Sequence, residues 1–374
     1  MLKTPLEMLQ TYVNQPSGSM DAQDTALLAQ LIAGDFASLG FTVTPVCEGA
    51  GAPALVCTLG RGKRQLMLMG HMDTVFPHAQ AVPFRDLGGG RAAGSGIADM
   101  KGGLVILLHA AARALPVLDL DAFRLCAVLN PDEEIGSVQS KDVILRVARE
   151  SFAALSFEPP INRTGLVCAR KGVTSVLVSC RGIPGHAGMY YREGASAIQA
   201  LCAQIGKLYT LRDDERGVSF NAGIISGGTA ENVIAPYAEC RCEFRCFGRA
   251  AELEERIRAL CAQEPVPGAT TRVSFGAPHP PVDLNERSQA LLDRALAIGA
   301  RLGLTLTHER TGSAGDISIA AQAGIGVLDG LGLPGEQTHT AGEFAYIDEL
   351  EPRIRLCARL IASLCGGADR ATEL

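Results

Sequence analysis

The sequence has no run of lysine or arginine and no interleaving of basic with aromatic residues, which argues against a nucleic-acid partner. It has no unbroken apolar stretch of membrane-spanning length, so no membrane span is expected. The opening residues Met1-Leu2-Lys3-Thr4-Pro5-Leu6-Glu7 lack the charged-then-apolar order of a secretory leader. Twelve cysteines are scattered without a C-x-x-C pair, which suggests neither a disulfide framework nor a zinc ribbon. A cytoplasmic protein is the expectation. There is no internal repeat and no low-complexity segment. Charged residues are 20% and hydrophobic residues 47%, with a net charge of −6, which is a globular composition. The 374 residues suffice for one large domain or two ordinary ones.

What is present is organised around Gln65-Leu66-Met67-Leu68-Met69-Gly70-His71-Met72-Asp73-Thr74-Val75. The apolar run reads as a buried strand ending at Gly70. In extended chain His71 and Asp73 share a face. A metal-binding histidine commonly gives its second ring N–H to a carboxylate, so His71 reads as a ligand and Asp73 as its orienting partner. Before this strand, residues 1 to 39 read as two amphipathic helices, the second capped by Asp21, followed by strands at 41–46 and 53–59. Gly88-Gly89-Gly90 marks a hairpin-type loop.

Three further carboxylates stand at strand or helix ends. In Gly94-Ser95-Gly96-Ile97-Ala98-Asp99-Met100-Lys101-Gly102-Gly103, Asp99 occupies the third glycine position of a dinucleotide loop. The better reading is a tight loop delivering Asp99 to the start of a helix over 100–115, with a plain N-cap as the alternative. After the apolar strand 123–129 comes Asn130-Pro131-Asp132-Glu133-Glu134-Ile135-Gly136. Three adjacent acids at a strand end call for a cation opposite. In extended chain neighbouring side chains diverge, so one glutamate can bind a metal while the other reaches water; spacing leaves open which does which. A helix over 138–149 and a strand over 153–157 then lead to Glu158, and a late loop carries His339. Two imidazoles and three carboxylates suit a borderline cation such as zinc, and five ligands exceed one tetrahedral site. With one bridging carboxylate they fill two sites roughly 3.5–4 Å apart. The alternation of strands and helices implies a largely parallel sheet with its site at the strand ends.

The order G-H-x-D-T-V, G-x-G-x-x-D-M-K-G-G, P-D-E-E-I-G, S-F-E-P and a late histidine resembles the M20 family of di-zinc metallopeptidases and deacylases, nearest in motif to its glutamate carboxypeptidase branch. The resemblance covers nearly the whole chain. It implies two Zn2+ per chain, with Co2+ or Mn2+ as possible substitutes: His71 and His339 each hold one, Asp99 bridges, and Glu134 and Glu158 complete the separate sites. It implies Asp73 as the orienting acid and Glu133 as the general base. The fold implied is an α/β catalytic domain with a mixed, largely parallel sheet (1–171 and 278–374), interrupted by an α+β sandwich lid or dimerisation domain (172–277). Within the insertion, His186 matches a histidine that reaches a partner subunit's site and stabilises an oxyanion. Asn232 and Arg245 match residues that hold a substrate carboxylate, and Gly315 in the Ser313–Asp316 loop is a third substrate-binding candidate. The implied activity is hydrolysis of an amide whose leaving amine carries a free carboxylate, with an N-acyl-amino-acid deacylase or dipeptidase as the alternative. The implied substrate is a peptide or N-acyl amino acid, and the implied assembly a homodimer. Two features depart from the branch. Arg163 stands where the branch has a lysine, and no arginine occurs in Ser274-Phe275-Gly276-Ala277-Pro278-His279-Pro280 at the lid's end.

Overall fold

A computed structural model describes residues 2–46, 51–276 and 278–366. The chain divides into two compact units: Met1–Cys168 with Leu284–Thr311 and Gly315–Leu374, and Ala169–Asp283 with Gly312–Ala314. Ala277, the expected last residue of the insertion, lies outside the described residues.

The first unit is built on a six-stranded sheet. Its order is Thr42–Val46, Ala54–Leu59, Phe123–Asn130, Arg64–His71, Ser151–Ser156 and Gly326–Leu328. The first two strands pair antiparallel and the last four run parallel. The mixed, largely parallel sheet expected from the sequence is therefore present. Along the His71 strand Leu66, Met67 and Leu68 are fully buried and Met69 nearly so, so helices or loops cover both faces, as a parallel interior strand requires. Helix Gly102–Ala114 packs on that strand and on helix Leu350–Cys365. Such an arrangement places the carboxyl ends of the parallel strands, where His71, Asn130 and Ser156 stand, on one edge of the sheet.

Local chemistry explains most element boundaries. Helix Pro5–Asn14 begins in a capping box, with the Thr4 hydroxyl and the Glu7 carboxylate each bonding the other's backbone and Pro5 in the first turn. Asp21 stands at the N-cap of helix Ala22–Ser38 without capping it; its carboxylate accepts the His78 backbone N–H at 2.8 Å. The expected helix over 138–149 starts only at Lys141. The intervening residues form a turn whose Gln139 and Ser140 N–H groups donate to Asp132. Residues Ile97–Val117, interrupted by Asp99, Lys101 and Arg113, match a membrane-crossing helix by length and mean composition, but 72% of the most apolar window is buried inside the protein.

The second unit is a four-stranded antiparallel sheet in the order Ser219–Gly227, Tyr237–Cys246, Gly172–Arg181, Thr270–Phe275. Helices Ala197–Tyr209 and Ala250–Cys261 supply Leu201, Leu208, Leu253 and Ile257 to its core. Cys240, Cys242, Phe244 and Cys246 face that core, and Glu239, Arg241, Glu243 and Arg245 alternate with them, as the period-two pattern predicts. All eleven described cysteines are free thiols.

Two glycines set how closely the Glu158 segment approaches its neighbours. A Cβ on Gly103 would stand 1.9 Å from the Phe157 carbonyl oxygen, and one on Gly332 would stand 2.1 Å from the same atom. Gly103→Ala should therefore destabilise the protein by about 1–3 kcal/mol through forced backbone displacement, read as a lower urea midpoint at unchanged m-value. An unchanged midpoint would contradict this packing.

Candidate metal centre

His71 ends its strand with a ring only 2% exposed. Its Nδ1 lies 3.0 Å from the Asp73 backbone carbonyl and 3.4 Å from Asp73 Oδ1. An Nδ1–H donor there leaves the Nε2 lone pair facing Asp99 Oδ1 at 3.2 Å and Glu158 Oε1 at 3.5 Å. Asp73 is fully buried and does more than orient one ring. Its Oδ1 and Oδ2 accept the backbone N–H groups of Glu133 and Glu134, each at 3.1 Å, and Oδ2 also accepts the Ser19 hydroxyl at 2.7 Å.

That clamp corrects the expected route to the paired glutamates. Glu133–Ile135 is a single 3-10 turn rather than extended chain, ended by Gly136 at φ 91°. The two glutamates still diverge, because a turn, not a strand, separates their side chains. Glu134 Oε2 lies 3.2 Å from His339 Nε2, whereas neither Glu133 oxygen belongs to a donor cluster.

Asp99 joins the two imidazoles. Its Oδ1 faces His71 Nε2 at 3.2 Å and its Oδ2 faces His339 Nε2 at 3.3 Å. The helix behind it begins regularly only at Gly102, since Asp99 and Met100 have non-helical dihedrals and a cis peptide links them. Asp99 is thus no helix cap. The loop is held by Glu343, whose carboxylate accepts the N–H groups of Gly96, Ala98 and Asp99 at 2.9, 2.9 and 3.2 Å. Burial pushes the Glu343 carboxyl up to about 7 against those three bonds. Sequence reasoning missed Glu343: an acid four residues after His339 reads as a solvated loop residue. It also missed Asp316, which accepts from Asn130 Nδ2 at 2.6 Å and from the Ser137 hydroxyl, pinning both ends of the acidic turn.

The donor atoms of His71, Asp99 and Glu158 lie within 4.8 Å of one another, as do those of Asp99, Glu134 and His339. All five expected ligands therefore assemble into two groups sharing one carboxylate. Burial disfavours a charged His71, yet Glu158, Asp73 and Asp99 outweigh it and raise its pKa well above the ordinary imidazole value. Asp99 and Glu134 likewise push half-exposed His339 up to about 10. Burial raises the Glu133 carboxyl, aided by Glu158, Asp316 and Asp99 and opposed by His71. The two imidazole shifts have one origin: carboxylates outnumber cations. A divalent ion in each group satisfies that excess with the nitrogen and oxygen donors such ions prefer, so the residues fit two metals.

The remaining predicted residues are placed as follows. Gly315 precedes Asp316, and its carbonyl accepts the Ser318 N–H at 2.9 Å. Arg163 donates to Glu349 at 2.7 Å and Asp348 at 3.0 Å and lies over the Tyr346 ring. In the second unit, exposed His186 accepts the Gly188 N–H at Nδ1, and its loop is tied to the Asn232 segment by Ala187 N–H donating to the Asn232 carbonyl at 2.9 Å. Arg245 forks onto Glu243 at 2.8 and 3.3 Å and donates to the Gly312 carbonyl at 3.1 Å.

Raised imidazole pKa values mean that the metal-free centre carries protons at neutral pH which ligation must expel. Metal titration at about pH 7.5 in buffers of different ionisation enthalpy should thus register net proton release, between about one and two per chain. Apparent affinity should rise with pH while His339 still holds its proton, below about 10. Binding without proton release would contradict the assigned ligands.

The sequence profile of "Peptidase family M20/M25/M40" matches residues 67–363. Carboxypeptidase G2 of Pseudomonas sp. (strain RS-16) is 31% identical over 373 residues, covering 97% of this chain and 89% of that protein. Acetylornithine deacetylase of Myxococcus xanthus is 30% identical over 332 residues, covering 82% of each chain. Among solved structures, aminopeptidase PepT from Bacillus cereus superposes with a TM-score of 0.79 at 20% identity, covering 96% of this chain and 98% of that one, a likeness of fold. With its two donor groups, its sheet and this match over most of its length, the chain belongs to the M20/M25/M40 family of metal-dependent peptidases and amide hydrolases.

Proposed function

We propose that this chain is a di-zinc hydrolase that cleaves an amide whose leaving amine bears a free carboxylate, as in a peptide or an N-acyl amino acid. The observation that carries the proposal is Asp99 lying between His71 and His339, with Glu158 and Glu134 completing separate groups and Glu133 outside both. In this reading His71, Asp99 and Glu158 hold one ion, and His339, Asp99 and Glu134 hold the other. When bound, the two ions, zinc by preference with cobalt or manganese as substitutes, supply Lewis acidity for water activation and carbonyl polarisation.

The chain's own groups do the rest. Glu133 takes the proton from the attacking water and later delivers it to the departing nitrogen. A carboxylate held by dehydration above its ordinary pKa keeps the proton long enough to pass it on. Asp73 keeps the His71 Nδ1–H donor in place and fixes the turn that carries Glu133. His186 stabilises the developing oxyanion from the second unit, in a homodimer whose second unit also serves as the lid and the dimer contact. Asn232, Arg245 and the Gly315 backbone receive the substrate carboxylate. Arg245 must exchange Glu243 for that carboxylate, since its fork is engaged. Free thiols throughout the described chain accord with a reducing, cytoplasmic setting.

A second reading, an N-acyl-amino-acid deacylase, draws support from the N-acetyl-L-citrulline deacetylase of Xanthomonas campestris, 27% identical over 343 residues, and from the Myxococcus deacetylase. The engagement of Arg163 by Glu349 and Asp348 also weakens a dedicated glutamate pocket. Relative kcat/KM on N-acyl-glutamates, other N-acyl amino acids and dipeptides separates the two readings: carboxypeptidase behaviour follows the released amino acid, deacylase behaviour the acyl group.

Glu133→Ala should keep two metals per chain and the native melting temperature while kcat falls by about 10²–10⁴-fold. Turnover near that of the wild type, with both metals bound, would remove Glu133 from the role of base.

A further inference from the structure

The face of the second unit's sheet turned away from its helices carries a groove of ≈ 470 Å³. The strand register explains its shape. One cross-strand row reads Ile224, Arg241, Leu177 and Ser274, and the next reads Asn221, Glu243 and Ser175. Small residues at Ser175, Gly223, Ser274 and Gly276 leave the depression, while Leu177 and Ile224 give it apolar walls. Ile224 is 64% exposed, a large aliphatic surface to leave in water beside a cation.

The charges in this groove do not cancel. Glu243 accepts from Arg245 Nε and Nη2, so that pair is neutral. Arg241, on the same face two residues away, has no hydrogen-bond or ion-pair partner for its guanidinium among the described residues. One uncommitted guanidinium, with five N–H donors in a planar fork, lies beside the aliphatic Leu177 and Ile224 with the Asn221 amide alongside. A carboxylate matches the fork in two parallel bonds, and a hydrocarbon body matches the walls.

We infer that this groove is a binding site for a small organic monocarboxylate carrying an aliphatic chain or aromatic ring, with Arg241 as its anion anchor. The Arg245–Glu243 pair borders the groove through Glu243, but the anchor is Arg241 and the inference does not depend on the hydrolytic reading. Charge complementarity selects an anion over a cation. The groove's volume of ≈ 470 Å³ matches a small molecule rather than a protein surface.

The test uses the zinc-loaded protein and 4-phenylbutyrate, which has no amide and cannot be consumed. Isothermal titration should show saturable binding on the order of 1 mM or tighter. Arg241→Gln, a change on an exposed side chain, should weaken it about tenfold or more, and Arg241→Lys should restore part of the loss. The neutral analogue 4-phenylbutanol should bind more weakly than the acid and equally to wild type and Arg241→Gln. Metal content and turnover, measured on the same samples, should be unchanged, which keeps failure here distinct from failure of the proposed function. Undiminished 4-phenylbutyrate binding in Arg241→Gln would assign the probe to another place, the metal centre included, and overturn the inference. So would equal affinity for acid and alcohol, or absence of saturation by about 10 mM.

Discussion

One carboxylate lies between two imidazoles, and the rest of the first unit is arranged to keep it there. Asp99 presents one oxygen to His71 and the other to His339, from residues separated by most of the chain. Without cations the arrangement is electrostatically one-sided: several carboxylates converge on two rings, and both rings respond by holding protons. Divalent ions would satisfy that excess, with the Asp99 carboxylate common to both donor groups.

The support for that carboxylate is mostly backbone. Glu343 gathers three N–H groups of the Asp99 loop and so ties the His339 segment to it. Asp73 gathers the two N–H groups of the acidic turn while sitting behind His71, which links the strand that ends at His71 to the turn that carries Glu133 and Glu134. Asp316 and Asp132 fix that turn from its other side. Gly103 and Gly332 let the Glu158 segment pass within contact of the Phe157 carbonyl's neighbours, which no side chain larger than hydrogen permits. Glu343, Asp73, Asp316 and Asp132 accept from protein groups and so position the carboxylates of the two donor clusters.

Much of this was legible in the sequence because metal ligation leaves a spaced, chemically extreme pattern. His71, Asp99, Glu134, Glu158 and His339 each stand at the end of an apolar strand or in a tight loop, and the structure gathers all five. Strand periodicity likewise gave the buried face of Cys240, Cys242, Phe244 and Cys246. Other features left no such trace. Glu343 and Asp316 look like solvated acids until the fold buries them. The 3-10 turn at Glu133 could not be told from extended chain by spacing, since both let adjacent side chains diverge. Asp21 offered a cap by type, yet a tertiary partner, the His78 N–H, outcompeted the local one. The engagement of Arg245 by Glu243 required the strand register and the rotamers, neither of which composition specifies.

The most direct test is a crystal structure of the zinc-loaded protein with anomalous scattering at the zinc edge. It should show two zinc ions per chain about 3.5–4 Å apart, with one Asp99 oxygen on each, His71 and Glu158 on the first, and His339 and Glu134 on the second. A single zinc, or a second ion that takes no oxygen from Asp99, would contradict the account.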